Sequence, residues 1–288
     1  MEFHLQRNTY VHPSNRGMAA GFNRLLNCST FARARRAVLS RLPFMTMASD
    51  VVDVVYCTWI VDTADVAGYI PPGVALMERD GKTLFTILTY AHSHFGPSLA
   101  GPLRRLFPSP LQSNWRFYVS TFEGANDAAP TVLFVKNIFD NRLYLAATRM
   151  LSDALPSHLA ARFEHRVVGR RSMTRIDSGR GSAPDFACGA QLTVSRALPE
   201  QFETFFDSWR RAVEFLGLQD GALAHVDDCS RIAHARIDLP IDIDSVRPME
   251  PSGDVIGGDF LQGIGAKGRP FCFLVPGVKF RVLSERLL

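Results

Sequence analysis

TVLFVKNIFDNRLYLAATRMLSDALPSHLA, residues 131 to 160, is the stretch whose reading decides the fold. Val132-Leu133-Phe134-Val135 is a short apolar run rich in β-branched and aromatic side chains, as in a buried strand. Asn137 and Asp140 then offer side-chain acceptors for the unpaired N–H groups of a helix start. Leu143, Ala146, Ala147, Met150 and Leu151 fall at i, i+3, i+4, i+7 and i+8, one apolar stripe along a helix. Arg149 stands near its end, where a cation suits the helix dipole, and Pro156 marks the stop before Ser157 and His158. Strand, turn, helix and polar loop make a frame on which a site can be built.

Upstream, Val54 to Val61 reads as a strand apolar on both faces, hence central. Thr63 can cap a short helix running to Tyr69, and Pro71-Pro72-Gly73 makes a rigid turn. Val74 to Met77 and Thr83 to Tyr90 flank Arg79-Asp80-Gly81, a hairpin signal. Ala91 to Ser113, rich in Pro, Gly and His, reads as a long loop, with Arg104-Arg105 either meeting an anion or forming a solvated turn. Asn114 to Glu123 alternates: Trp115, Phe117, Val119 and Thr121 on one face, Asn114, Arg116, Tyr118 and Ser120 on the other. The polar face either meets solvent or lines the inside of a barrel.

Downstream, His165 to Arg171, Met173 to Ile176 and Ala187 to Ala197 read as strands, with Ser178 to Asp185 a loop. Pro199 to Leu216 is the best helix in the chain, striped by Phe202, Phe205, Phe206, Trp209, Ala212, Val213 and Leu216 and ended by Gly217. Leu223 to Leu239 and Pro270 to Leu283 supply the last strands, joined by a Gly- and Pro-rich connection over Val246 to Arg269.

The order of strand, Asn/Asp turn, helix with a late arginine, then proline and two polar residues resembles the acetoacetate decarboxylase superfamily, and more closely its DUF2071 branch. A second point of resemblance is VVYCTWIVDTADVAGYIPPGVAL, residues 54 to 76, followed by a hairpin. The resemblance covers Asp50 to about Leu283 and implies an α+β fold. In it, a largely antiparallel sheet closes into a barrel-like cavity with a few packed helices, as a single domain over residues 46 to 288. It also implies what is missing. Decarboxylases of that family carry two lysines after the proline and activate one by desolvation and a neighbouring cation. Here Ser157 and His158 stand in those places, which argues against an imine. Lys136 is the one lysine nearby, and on a strand it either points inward or reaches solvent.

The ligand that the resemblance suggests is a small oxo or hydroxy acid or a polyketide-like carboxylate. Arg116 is then the carboxylate clamp and His158 the acid or base. Gln112, Asn114, Tyr118, Lys136, Arg149 and Ser157 complete the candidate ligand-binding set. The alternative is a non-catalytic binding module using the same cavity.

Composition bounds the rest. The chain has 288 residues, 47% hydrophobic and 21% charged, which suits an ordinary soluble globular protein. Five scattered cysteines, odd in number and without a C-x-x-C pair, favour a reducing compartment over a disulfide framework. A net charge of +4 with no nucleic-acid motif gives no reason to expect a nucleic-acid partner. No apolar run reaches the ~18–20 residues that span a bilayer, so no membrane partner is expected. His92-x-His94 has ligand spacing on a strand but lacks an evident third ligand, so neither metal nor cofactor is expected. Homo-oligomerisation is left open. Residues 1 to 45 are arginine-rich, with no acid between Glu2 and Asp50. They read as a transit peptide, as an over-extended start with Met18, Met45 or Met47 the true first residue, or as a basic helix over Ala34 to Leu42 on the domain surface. The segment up to about Ser29 is expected to be poorly ordered. The location expected is cytoplasmic, or an organellar matrix on the first of those readings.

Overall fold

In the computed structural model, which describes residues 5–14, 17, 19–124 and 129–288, the β-branched and aromatic runs become strands. Two helices, α1 (Ala19–Leu26) and α2 (Ser29–Leu39), precede β1 (Met47–Asp62). A single turn, α3 (Thr63–Val66), leads to β2 (Val74–Leu76), β3 (Glu78–Arg79), β4 (Lys82–Pro97) and β5 (Leu111–Phe122). The stretch quoted first becomes β6 (Thr131–Phe139), α4 (Arg142–Leu151) and β7 (Ser157–Leu159). Then come β8 (Arg162–Val168), β9 (Arg171–Asp177), β10 (Phe186–Leu192) and α5 (Trp209–Gly217). The chain ends with β11 (Gly221–Val226), β12 (Arg231–Asp238), β13 (Arg247–Ile256), α6 (Gly258–Gly263) and β14 (Phe271–Leu287).

Hydrogen-bonded neighbours run β1, β4, β5, β6, β11, β12, β14, and β14 pairs back onto β1, so the path closes into a ring. The β6–β11 step is parallel and the other steps of the ring are antiparallel. From β14 the sheet also continues through β13 to β10, β9 and β8, whose strands cover the outside of the ring. Side chains alternate across the wall with the period-2 pleat. Tyr56, Leu88, Tyr118, Phe134 and Phe273 enter an inner core with α5. Cys57, Trp59, Phe85, Trp115 and Phe117 enter an outer core with Ile176 and Phe186. Burial of both faces explains why β1 reads apolar throughout.

Several elements differ from the sequence expectation, each for a local reason. Pro199 to Leu216 is not one helix: a 3-10 turn at Glu200–Phe202 is followed by α5, which starts after Ser208. Ser208 is extended and its side chain accepts from the Arg211 N–H, so it caps a new helix instead of continuing an old one. The aromatic stripe still reaches one core, since Phe202, Phe205 and Phe206 pack beside Trp209, Val213 and Leu216. The helix α4 turns its other face inward: Tyr144, Leu145 and Thr148 are buried, while Leu143 is 72% and Leu151 55% exposed. Its cap is Asn141, which accepts from the N–H groups of Leu143 and Tyr144. Asp140 instead accepts from Leu111 N–H, and Asn137 lies within β6. Before α3 the capping position is Asp62, not Thr63. The connection over Val246 to Arg269 holds β13 and α6, and the long loop after Ala91 is largely strand and 3-10 turns.

Of the early segment, residues 1–4, 15, 16 and 18 lie outside the described residues, and those that are described are tied to the rest of the chain. Tyr10 is fully buried against Leu145 and Leu159. Its backbone is clasped by Asn27, whose side chain accepts from Tyr10 N–H and donates to Tyr10 O, both at 2.8 Å. Arg35 and Arg36 of α2 ion-pair with Asp153, and Arg36 also with Asp228.

Trp115 is the hinge between layers, touching Phe85, Phe186 and Phe260 edge-on with ring centroids 6.1, 5.9 and 4.9 Å away. Trp115→Ala should therefore lower stability by ~3–5 kcal/mol, the range for truncating a buried aromatic. Urea denaturation followed by circular dichroism checks this, and a loss under ~1 kcal/mol would mean that β10 and α6 do not pack on Trp115.

Candidate functional site

The ring is not filled by side chains. It encloses a cavity of about 80 Å³, lined by apolar groups such as Val51, Leu88, Phe134, Leu239 and Phe280. One wall differs. The even-numbered residues of β5 point inward, so Gln112, Asn114 and Arg116 line the cavity as a polar stripe. Tyr118, next on that face, is buried beyond the stripe against α5.

Arg116 is 2% exposed. Its Nη2 donates to the Leu216 carbonyl at 2.7 Å, near the C-terminus of α5, where carbonyl groups favour a cation. The guanidinium also lies 5.6 Å and 5.5 Å from the ring centroids of Tyr56 and Tyr118. Tyr118 Oη donates to the same carbonyl and meets Thr86 Oγ1 at 2.9 Å. Among the described residues no carboxylate pairs with Arg116, and its Nε is buried without a hydrogen-bond partner. Asn114 Oδ1 is likewise unpartnered.

The other half of the stripe is braced from behind. Gln112 Nε2 and Asn114 Nδ2 both donate to Asn137 Oδ1, at 3.0 and 2.7 Å. His92 Nε2 lies 2.7 Å from Gln112 Oε1, so it carries the hydrogen, and Nδ1 accepts from Ser49 Oγ at 2.8 Å. Burial pushes the His92 pKa down to about 4, against the Gln112 hydrogen bond. His92 and His94 do not act together: a left-handed backbone at His94 (φ 56°) interrupts the pleat. At the far side of the cavity Glu285 accepts from Ser152 Oγ and from Asp153 N–H, and burial raises its carboxyl pKa.

The remaining predicted residues lie elsewhere. Lys136 would share the inner face with Val132 and Phe134 on a regular strand. A register shift prevents it: Arg116 pairs with Phe134 but Trp115 with Lys136, leaving Val135 as a bulge. The bulge turns Lys136 to the outer face, where its Nζ donates to Asn8 Oδ1 at 2.8 Å and lies 3.4 Å from His158 Nε2. Burial, helped by Arg149, lowers the Lys136 pKa to about 8. His158 is fully buried and its Nδ1 meets Ser182 Oγ at 2.7 Å. Burial and the cations Lys136 and Arg149 hold its pKa well below the ordinary value. Arg149 donates to the carbonyls of Ser157, Asn8 and Leu26 and stacks over Tyr10, with burial pulling its pKa to about 10. Ser157 accepts from Thr148 Oγ1 at 2.9 Å and does not line the cavity.

The wall thus separates two groups. Gln112, Asn114 and Arg116 share the cavity; His158, Lys136 and Arg149 sit behind it under residues 8–10. Sequence reasoning missed Tyr56, Tyr90 and Glu285 as cavity residues. Tyr56 and Tyr90 lie in uniformly apolar runs that carry no period-2 signal. Glu285 lies at the chain's end, where ring closure alone brings it inward.

Comparison with known proteins places the chain. The family model DUF2071, described as an uncharacterized conserved protein, matches residues 49–215. None of the curated proteins matches the sequence. Among solved structures, the enduracididine biosynthesis enzyme MppR with HEPES bound superposes with a TM-score of 0.55 at 13% identity, over 85% of this chain and 88% of its own. An acetoacetate decarboxylase-like enzyme from Sphingomonas wittichii gives 0.55 at 10% identity, over 86% and 94%. Acetoacetate decarboxylase from Legionella pneumophila gives 0.52 at 9% identity, over 84% and 86%. At these identities the likeness is one of fold.

Three buried histidines whose pKa values burial lowers, His92, His158 and His165, set a pH dependence. Their folded pKa values lie below the unfolded value of 6.5, so the stability from neutral His is complete above 6.5 and is lost as pH falls toward 4. His92 alone accounts for up to ~3 kcal/mol across that window. Denaturation midpoints measured from about pH 7 to about pH 4 should fall steeply, and less steeply in His92→Gln. An unchanged slope in that variant would remove His92 from the account.

Proposed function

The chain belongs to the DUF2071 family and has the acetoacetate decarboxylase-like fold, and from that premise we propose that it binds a small carboxylate with an apolar body inside the ring, without forming an imine. The observation that carries the proposal is Arg116: a buried guanidinium facing an apolar cavity, with no carboxylate partner and one N–H unused. A guanidinium keeps its charge at any working pH, and a buried charge without a counter-ion is costly. A ligand carboxylate would supply the counter-ion and accept from the free Nε–H. Asn114, braced on Asn137, adds an oriented amide whose Oδ1 can accept from a hydroxyl. The apolar remainder of the wall suits a hydrocarbon or polyketide-like chain more than a small polar acid alone. MppR has been seen with pyruvate and with a condensation product of pyruvate and imidazole 4-carboxaldehyde, which supports an oxo-acid head group here.

Imine chemistry is not supported. The chain has four lysines, Lys82, Lys136, Lys267 and Lys279, and none lines the cavity. Lys136 has a depressed pKa but lies behind the wall with Asn8 on its amine. His158 is also behind the wall, so it has no access to a ligand held by Arg116. If the bound acid is turned over, the acid–base group on its side of the wall is Glu285, whose carboxylate burial makes a stronger base than a solvated one. That second reading is a proton exchange at C3, the carbon next to the oxo group: the Glu285 carboxylate takes the C3 proton to leave the enolate and, once exchanged with solvent, returns a proton to the same carbon.

Calorimetric titration with 2-oxo acids of increasing chain length tests the binding. Affinity should rise with length, fall at least ~tenfold in Arg116→Met, and recover only in part in Arg116→Lys, as expected for loss of a charged hydrogen bond. Equal binding by wild type and a folded Arg116→Met would sink the proposal.

Two further outcomes separate the chemistries. Borohydride treatment with pyruvate or acetoacetate should leave every lysine peptide unmodified by mass spectrometry, and an adduct on Lys136 would restore the imine. Loss of proton exchange from a bound 2-oxo acid in Glu285→Gln, followed by NMR in deuterium oxide, would establish the catalytic reading; no exchange in wild type leaves a binding protein.

A further inference from the structure

We propose that the protrusion formed by residues 98–107, together with the turn over residues 40–46, docks on an anionic lipid surface. Residues 98–107 leave the ring directly after β4 and form 3-10 turns kinked at Gly101, whose φ of 49° is left-handed. They hold their largest side chains in solvent: Leu99 is 93% exposed, Leu106 81% and Leu103 65%. The neighbouring turn adds exposed Leu42, Phe44 and Met45. The two segments are joined at their bases, where Ser98 N–H donates to Thr46 O at 2.8 Å and Met47 pairs with Pro97.

These are not side chains left out by a slack loop. Arg104 ties the protrusion down through His94 O at 3.1 Å and Asp50 Oδ2 at 3.0 Å. Tyr144 Oη reaches Phe95 O at 2.6 Å and Pro108 O at 3.0 Å, one on each side of the protrusion. Rigid segments that present leucines to water are unusual in a chain able to bury so many others.

Charge decides what covers them. No Asp or Glu occurs from Gly81 to Phe122, nor from Phe3 to Ser49, so both segments carry cations alone. Arg41 and Arg105 are exposed at the patch, and Arg104 already has its carboxylate in Asp50. Apolar side chains bracketed by arginine match the interface of a bilayer with anionic headgroups. A second copy of the chain fits less well, because a two-fold contact would set Arg41 and Arg105 against their own copies. Among the described residues no helix is long and apolar enough to cross a membrane, and the expectation of no membrane partner rested on the lack of an apolar run long enough to span one. An interfacial contact needs no spanning segment. The protrusion is rooted at Phe95, which lines the cavity, so the contact would bring the cavity wall near the lipid; docking itself does not depend on what the cavity holds.

Co-sedimentation with phosphatidylcholine vesicles, with and without phosphatidylglycerol, tests this. The full chain should pellet with the anionic vesicles, weakly with the neutral ones, and less as salt rises. Leu103→Ser with Leu106→Ser should reduce partitioning at least ~tenfold, and Arg105→Ala about fivefold, the effect of one basic residue at such a surface. Both changes are on exposed side chains, and a circular dichroism spectrum like that of wild type certifies the fold. No binding to anionic vesicles, or equal binding by a folded leucine variant, overturns the proposal. So does light scattering that shows a wild-type dimer dissociated by the leucine changes, which would make the patch an interface between copies.

Discussion

A guanidinium buried inside a ring of strands is hard to tolerate, and much of the inner structure can be understood as what makes Arg116 tolerable. Removing a cation from water is expensive unless its donors are met and its field answered. Here the last carbonyls of α5 answer it from one side and the faces of Tyr56 and Tyr118 flank it. That ties the position of α5 to the chemistry of the cavity. The helix closes the inner core with Trp209, Val213 and Leu216, and its end supplies the carbonyl that Arg116 and Tyr118 share. The break at Ser208 then has a purpose in the geometry. A single helix from Pro199 would be about twice as long, whereas the short capped α5 ends at Gly217 with the Leu216 carbonyl on Arg116.

The wall carries chemistry on both faces, and this governs how much could be read from the sequence. The alternation of Asn114, Arg116 and Tyr118 against Trp115 and Phe117 was legible, because period 2 assigns residues to faces whatever the partners. Which interior each face meets was not legible, since both faces are buried and an outer apolar face resembles an inner one. The resemblance set Ser157 and His158 in the places of the family's two lysines and made Arg116 the carboxylate clamp. It thereby joined His158 and Arg149 to Arg116, although β7 carries His158 on the outer face with Ile138 and Lys136. Sequence patterns also gave no warning of the bulge at Val135, a backbone event with no Gly or Pro to mark it. That one extra residue moves the only nearby amine from cavity to exterior. Glu285 was illegible for a different reason: its place in the cavity depends on β14 pairing with both β1 and β12.

Behind the wall, the arginine-rich early segment has a structural role that composition alone disguised. Lys136 and Arg149 are buried cations whose nearest oxygens come from Asn8, so residues 8–10 provide the hydrogen-bond acceptors that burial would otherwise deny them. Asn8 N–H in turn donates to Asp227 Oδ2 at 2.6 Å, and Arg36 bridges Asp153 and Asp228. The acids Asp153 and Asp228 and the arginines of α2 are therefore complementary parts of one surface. This arrangement also keeps the two faces chemically distinct. With Asn8 on the Lys136 amine and Ser182 on the His158 ring, the outer group is satisfied within the protein, whereas Arg116 Nε and Asn114 Oδ1 are left open on the inside. Arg116 Nε and Asn114 Oδ1 are thus open at the cavity, while behind the wall the lysine and histidine have partners and the Tyr10 hydroxyl does not. The ligand proposed for this chain is accordingly one that would bring an acceptor to Arg116 and a donor to Asn114 while its remaining atoms lie among hydrocarbon side chains.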